Sequence, residues 1–315
     1  MARLSTERYL QARAFIYDHG RPLERLLFEH DFERAPVWPV LDSLAEYQND
    51  DGGFGNGLEP DSLTSASGAL ATSVGLALMA HVSAPASHPA VLATYQYLRA
   101  TIDPASRVWR IVPAAAADAP HAPWWEQEGL EERFNGYRLN PKADIVAQLY
   151  ALGDPGLRPW LDELAADVVT TVTEFLAAGA GNEQTGALEM HDLIAAVRLL
   201  DAEGLAPALK AELRTLLAPV AVAAVRSAGA GYGLKPLAVA PRPGSELAQV
   251  LSDEVQAQLD ELILEQADDG AWWPAWSWGS QVHGAPGARS RLAWAGVLTL
   301  EALRSLQAFE RIDRE

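Results

Sequence analysis

The sequence predicts an all-α fold in which antiparallel helical hairpins stack side by side. Three observations support it: apolar residues recur with helical spacing from end to end, no segment alternates with period two, and one helix-plus-loop motif occurs twice. No Gly/Ser/Pro-rich linker divides the 315 residues, and 49% of them are hydrophobic, enough to bury a sizeable core. We therefore expect residues 1–315 to form a single domain.

Helical periodicity is clearest in two segments. In the first, for which Ser245 is the expected N-cap, one face carries only apolar side chains. These are Leu247, Val250, Leu251, Val255, Leu259, Leu262 and Ile263. The second has the same pattern at Met190, Leu193, Ile194, Val197 and Leu200. Glycine and proline breaks divide the chain into about ten or eleven such helices, and their short connections favour antiparallel neighbours.

An internal repeat links two distant parts of the chain. Residues 41–54 align without a gap with residues 259–272, and seven of the fourteen positions are identical. Each copy is a helix that ends in Gln-x-Asp-Asp-Gly and is followed by an aromatic residue. Gly52 and Gly270 can adopt the left-handed conformation that stops a helix, and the glutamine amide can bond free backbone groups there. The motif therefore predicts a structural joint with Trp272 as its packing ring.

The segment Ser62 to His81 carries no formal charge over about the length of a membrane-spanning helix. Its serines, threonines and glycines are too numerous for insertion, because Leu, Ile, Val and Phe do not dominate it. The segment instead predicts a buried helix that packs closely through small side chains.

Several motifs around the repeat resemble those of a known superfamily. They are residues 48–61, residues 121–126, Asn140-Pro141, and residues 269–273 followed by Trp276 and Trp278. This pattern resembles bacterial squalene-cyclase-like and prenyltransferase-like proteins, which belong with the terpene cyclases and protein prenyltransferases. The resemblance implies an α/α toroid, a barrel of about five to six antiparallel helical hairpins.

The resemblance does not extend to the usual catalytic motifs. The Asp-x-Asp-Asp acid motif of class II cyclases is missing, as is the Asp-Asp-x-x-Asp diphosphate and magnesium motif of class I enzymes. Protein prenyltransferases hold zinc through Asp, Cys and His, and this chain has no cysteine. The resemblance therefore implies a fold more securely than a reaction.

The net charge of the chain restricts the kinds of molecule that it can bind. The net charge is −18 and the isoelectric point is about 4.7, so the surface repels nucleic acids and anionic membranes. We expect a small-molecule substrate or ligand, no nucleic acid and no integral membrane segment, while the oligomeric state is open. The charged N-terminus lacks an apolar signal core, so we expect a cytoplasmic protein.

Candidate acid/base residues occur in two loops. Glu59 and Asp61 follow a Gly-rich turn, where ionised carboxylates or one carboxyl with a burial-raised pKa could transfer protons. His121 is a further acid, base or hydrogen-bond donor in the long segment Ser106 to Pro141. The alternative is structural: Asp61 as an N-cap, Glu59 as a loop tether and His121 as a loop anchor.

Aromatic residues in two irregular segments predict a ligand cavity. Two adjacent tryptophans in a loop seldom both find core positions, and Ala271 to Gly287 contains four more. Indole faces can stabilise a cation or stack on a sugar. The expected substrate-binding residues are Trp124, Trp125, Glu126, Trp273, Trp276, Trp278 and Asn140.

No metal or cofactor is expected. Glu189, His191 and Asp192 are close in sequence, but adjacent positions on a helix diverge by about 100° and do not converge on one ion. Asn140 and Pro141 also indicate a helix start, with Asn140 as the cap.

Three functions remain open. The favoured one is an enzyme, a lyase or isomerase, that acts on an apolar, isoprenoid-like molecule in a central aromatic cavity through carboxylate acid/base chemistry. The second is a carbohydrate-active hydrolase, lyase or epimerase, since paired carboxylates with indoles also suit sugars. The third is a non-catalytic protein that binds a hydrophobic ligand. Sugars need many polar groups in the lining, and isoprenoids need almost none.

Overall fold

The computed structural model describes residues 1–179, 188–228, 233–279 and 284–313, and in these ranges it contains thirteen α-helices and no β-strand. The all-α prediction is therefore confirmed. The helices are α1 (Thr6–His19), α2 (Pro22–Glu33), α3 (Trp38–Ala45), α4 (Ala69–His81), α5 (Pro89–Thr101), α6 (Leu130–Arg133), α7 (Lys142–Leu152), α8 (Arg158–Ala178), α9 (Met190–Leu200), α10 (Pro207–Ser227), α11 (Pro236–Val239), α12 (Ser252–Glu265) and α13 (Ala285–Ala308).

Helix neighbours follow a regular order. Consecutive helices pack together in the pairs α1–α2, α2–α3, α4–α5, α7–α8, α8–α9, α9–α10, α11–α12 and α12–α13. A second set of contacts joins helices that are further apart in sequence: α7 packs on α4, α9 on α7, α11 on α9, and α13 on both α1 and α2. The helices outnumber the ten or eleven expected, and two of them, α6 and α11, are single turns of four residues.

The two terminal segments pair with each other. Leu4 forms a parallel bridge with Ile312, in which Leu4 N donates to Arg311 O at 2.7 Å and Asp313 N donates to Leu4 O at 2.9 Å. The buried Arg311 guanidinium bonds Gln256 Oε1 at 2.8 Å, the Asp260 carboxylate and the Ala2 carbonyl. Its contacts hold both ends of the described chain against α12.

The structural joint is confirmed in both copies for its left-handed glycine and its glutamine contact, but the glycine does not stop the helix: α3 ends at Ala45 and α12 at Glu265, seven and five residues before Gly52 and Gly270. Gly52 and Gly270 have φ values of +87° and +90°. The side-chain amide of Gln48 donates to Gly52 O at 3.0 Å, and that of Gln266 donates to Gly270 O at 2.9 Å. Trp272 is buried in the main hydrophobic core, as expected for a packing ring.

Three predicted helix starts are wrong. Helix α4 begins at Ala69 instead of Ser62, because the preceding residues pair with a loop: Leu63 N donates to Pro120 O at 2.9 Å. Asp61 is consequently not the N-cap of α4. Helix α12 begins at Ser252, and Ser245 lies in a turn where its N–H donates to Arg242 O. Helix α7 begins at Lys142 with Pro141 as N-cap, so Asn140 does not cap it.

Among the described helices, none is long and apolar enough to cross a bilayer. Most buried apolar side chains belong to one large cluster that extends over the helices. A smaller cluster lies under the segment Ser106 to Pro141 and includes Trp125, Tyr137 and Trp278. The two irregular segments singled out in the sequence therefore contact each other.

Candidate functional site

The loop that carries Glu59 and Asp61 is anchored by a buried ion pair. Arg21 donates to both oxygens of Glu24, at 2.8 and 2.6 Å, and its Nη1 donates to the carbonyls of Gly57 and Leu58 at 2.9 and 3.2 Å. A bidentate pair of this kind has little freedom to reorient. It therefore fixes the backbone immediately before Glu59.

Asp61 is the point where three distant segments meet. Its side chain is 3% exposed, and its Oδ1 accepts hydrogen bonds from Trp278 Nε1 and from Ser290 Oγ, both at 2.7 Å. Its backbone carbonyl accepts from Ala122 N at 2.8 Å. Within the described ranges, both of these hydrogen bonds to the carboxylate end on Oδ1.

A cavity of about 290 Å³ opens beside Asp61. Its accessible lining is mostly apolar, and it includes three indoles, of which Trp276 and Trp294 pack edge to face with ring centroids 5.2 Å apart. The lining residues are Asp61, Pro274, Trp276, Ser277, Trp278, Gly279, Gly284, Gly287, Ala288, Ser290, Arg291 and Trp294. The cavity thus combines one buried carboxylate with aromatic walls.

Glu59 lies behind Asp61, in a separate narrow crevice. Burial and the neighbouring charge of Asp61 raise the pKa of the Glu59 carboxyl to about 8, although the amides of Asp61 and Ser62 and the charge of Arg21 oppose the shift. Burial therefore favours the neutral form of the Glu59 carboxyl.

The segment Ser106 to Pro141, which carries His121, packs against the site. None of its residues belongs to the described lining of the cavity. His121 Nδ1 lies 2.7 Å from Ala119 O, a distance that fits a protonated Nδ1, and its Nε2 is 3.7 Å from Glu126 Oε1. Trp125 is buried and stacks on Phe134, and Trp124 is half-buried beside it. The roles expected for His121, Trp124, Trp125 and Glu126 stay predictions, and the segment that carries them packs behind Trp278.

Two other expected residues lie elsewhere. Trp273 packs edge to face on Phe15, its Nε1 donates to Asp269 Oδ2 at 3.0 Å, and Arg291 covers its ring at 4.4 Å. Asn140 is held through its backbone N–H by Asp192 Oδ1 at 3.2 Å. Neither belongs to the described cavity lining.

Asp192 is a tether instead of a metal ligand in this arrangement. Its Oδ2 accepts from Asn135 Nδ2 at 2.6 Å, so both carboxylate oxygens join the Ser106 to Pro141 segment to α9. Burial raises the pKa of Asp192 to about 6 despite these hydrogen bonds. Over the described part of the chain, no three His, Asp or Glu side chains cluster as metal ligands would.

Among the cavity residues that sequence reasoning missed are the side chains of Ala288, Ser290, Arg291 and Trp294. They lie on α13, and Ser290 and Trp294 are four residues apart, so helical spacing alone puts these two on one face. The sequence carries no signal for which loop packs against that face.

No family model, curated protein or solved structure matches the chain. A function for this chain must therefore be inferred from the side chains that meet around Asp61.

Proposed function

We propose that the protein is an enzyme that transfers protons through Asp61 to or from a small, largely apolar, isoprenoid-like molecule. The observation that carries this proposal is the position of Asp61, a buried carboxylate in the wall of a cavity with three tryptophans. Buried carboxylates in an apolar pocket commonly act as general acids or bases in enzymes.

The chemistry of the wall supports this substrate class. Indole faces stabilise positive charge that develops on a carbon skeleton, and Asp61 can accept or return a proton beside them. Trp278 and Ser290 fix the carboxylate by hydrogen bonds to a single oxygen. Preorganised contacts of this kind hold a catalytic group in position without reorganisation during the reaction.

Cavity size favours a small ligand. About 290 Å³ is at the lower end of ordinary ligand pockets, which run from roughly 300 to 1,000 Å³, so the cavity suits a small molecule such as a ten-carbon alcohol. Ser277 and Arg291 are the other polar side chains in the described lining besides Asp61 and Ser290. A sugar ring needs more polar partners than this, so a carbohydrate is the less favoured substrate.

We also propose that the helices form an α/α toroid with α2, α4, α7, α9, α11 and α13 as its inner ring. The contacts α4–α7, α7–α9, α9–α11 and α13–α2 support this order, and His81 on α4 reaches Asp31 on α2 at 2.8 Å. The Glu301 side chain on α13 is accessible to solvent, yet the protein around it raises the pKa of its carboxyl, while the charge of Arg198 on α9 acts to lower that pKa. A side chain that is solvent-accessible yet surrounded by protein is expected on the wall of a central funnel.

The first test combines ligand binding with turnover. Geraniol is titrated into the wild type, Asp61→Asn and Trp276→Ala while tryptophan fluorescence is followed, and products are sought by mass spectrometry after incubation with related ten-carbon alcohols, aldehydes and alkenes. We expect Trp276→Ala to weaken binding about tenfold, equal to about 1.4 kcal/mol. We expect Asp61→Asn to lower turnover at least about a hundredfold while its melting temperature stays within a few degrees.

Trp38→Ala is the matched control, because Trp38 is 54% exposed on α3 and is not in the cavity lining. It should leave binding unchanged. Binding without any product, or turnover that Asp61→Asn leaves unchanged, would remove the catalytic role. Binding of a disaccharide in place of geraniol would support the carbohydrate alternative.

A further inference from the structure

A narrow crevice behind Asp61 is lined by buried polar side chains. Glu59 is 6% exposed and Ser62 is 7% exposed, and both line this space together with Thr64 and the Gly55 and Gly68 backbone. Its volume of about 10 Å³ is the space that one water molecule needs. Within the described ranges, Glu59 Oε2 and Ser62 Oγ have no hydrogen-bond partner, so the crevice offers two polar atoms to a single water.

Within the described ranges, no cation forms an ion pair or a hydrogen bond with the Glu59 carboxyl. The charge of Arg21 lowers the pKa of Glu59 but does not offset its burial, and the Arg21 guanidinium is engaged by both oxygens of Glu24 and by two backbone carbonyls. Arg110, from the segment packed on the crevice, donates to Val112 O and to Gln127 Oε1. Asp61, two residues further along, adds a negative charge. A buried carboxyl in these surroundings is more stable when it is neutral.

We propose that Glu59 is a positioning residue for the chemistry at Asp61: it keeps its proton, bonded through one crevice water to Ser62, so that the two carboxyls carry one negative charge between them, on Asp61. The positioning role rests on the proposed function, because it requires proton transfer at Asp61. The protonation of Glu59 can be tested without it. When Asp61 Oδ2 takes a proton from a ligand C–H or O–H group, that bond breaks, its electron pair stays on the ligand, and an O–H bond forms on Asp61. Glu59 retains its own proton throughout.

The pH range of the effect follows from the position of the two carboxyls. The pKa of Glu59 is raised from 4.5 to about 8. A raised carboxyl pKa stabilises the folded state fully below 4.5, and this contribution is lost as the pH rises toward about 8. The Glu59→Gln variant, a permanently neutral analogue, lacks this loss. Its melting temperature relative to the wild type should therefore climb between these two pH values and level off above them.

Carboxyl carbon NMR on protein labelled at glutamate tests the inference without a ligand. The Glu59 signal, identified by its disappearance in Glu59→Gln, should titrate with a midpoint near 8. Asp61→Asn should lower that midpoint by about one pH unit or more, because it removes the neighbouring charge. Asp50→Asn removes the same charge from an exposed position in the same loop and should leave the midpoint unchanged.

A Glu59 signal that titrates in the ordinary glutamate range would overturn the inference, as would a midpoint that Asp61→Asn does not move. If Glu59→Gln does not fold, Glu59→Asp makes the same assignment, because it also removes the labelled glutamate at this position, and the effects of Asp61→Asn and Asp50→Asn are then measured on that signal. A failure of geraniol to bind contradicts the proposed function alone, since the titration needs no ligand.

Discussion

Gly52 and Gly270 show how much a single backbone position contributes to this fold. A Cβ atom at Gly270 would lie 2.4 Å from the carbonyl carbon and oxygen of Gln11, and one at Gly52 would lie 2.2 Å from Ala93 O. Both positions also have positive φ. The repeated glycine is thus required twice over, by its left-handed conformation and by the close approach of a neighbouring helix.

Gly270→Ala should therefore destabilise the protein strongly. We expect the free energy of unfolding to fall by about 2–4 kcal/mol, because the strained conformation and the backbone clash add together. Gly244→Ala is the control, since a Cβ atom at Gly244 would have nothing within 4 Å and its φ is not positive. Chemical denaturation measures the free energy of unfolding of both variants. An equal effect of the two substitutions would contradict the requirement for glycine at position 270.

At the scale of elements, one aspartate connects three helices. Asp31 on α2 accepts from His81 Nε2 of α4 at 2.8 Å and from Arg304 Nε of α13 at 2.6 Å. Desolvation opposes ionisation, but these two partners hold the pKa of Asp31 below its ordinary value of 3.8. The stability that this carboxylate contributes is therefore present above 3.8 and is lost as the pH falls through its lower folded-state pKa.

Asp31→Asn should lower the free energy of unfolding by about 2 kcal/mol at neutral pH, because two charge-assisted hydrogen bonds are lost from a largely buried position. The difference from the wild type should shrink in acid, below pH 3.8. Glu254→Gln, which removes a surface pair between α10 and α12, should leave the melting temperature unchanged. A constant difference at every pH would show that the charge of Asp31 does not matter.

The helices were predictable where apolar spacing or the repeat marked them: α9 by its spacing, α3 by the repeat, and α12 by both. Residues 62–68 were not, because nothing in their small, uncharged side chains reveals that Leu63 N bonds a loop carbonyl more than fifty residues away. The same limit applied to the site. The sequence located Asp61, Trp276 and Trp278, whereas Ser290 and Trp294 were determined by how α13 packs, a tertiary effect that local pattern does not encode.

At the scale of the whole molecule, the terminal segments form one unit with α12. Arg311 is the residue on which this depends, since its guanidinium is 3% exposed and bonds Ala2, Gln256 and Asp260. The guanidinium gives each of these partners a hydrogen bond that water would otherwise have to supply. Arg3, by contrast, pairs with Asp313 at the surface.

Arg311→Ala should lower the free energy of unfolding by about 2 kcal/mol, because it removes the hydrogen bonds of a buried guanidinium to three partners and the packing of its stem. Arg3→Ala should cost no more than about 1 kcal/mol, as expected for an exposed ion pair. Thermal unfolding of the two variants under the same conditions measures the difference. Equal melting temperatures would show that the terminal segments do not stabilise the rest of the chain.

The hydrogen bond from Trp278 to Asp61 spans 217 residues, and the one from Ser290 spans 229. Contacts this remote in sequence form slowly, because a long loop must close before they add any stability. We therefore expect the cavity to be assembled late in folding, and it cannot exist in a nascent chain that ends before α13. A change in Trp278 fluorescence during refolding would mark the time at which the cavity forms.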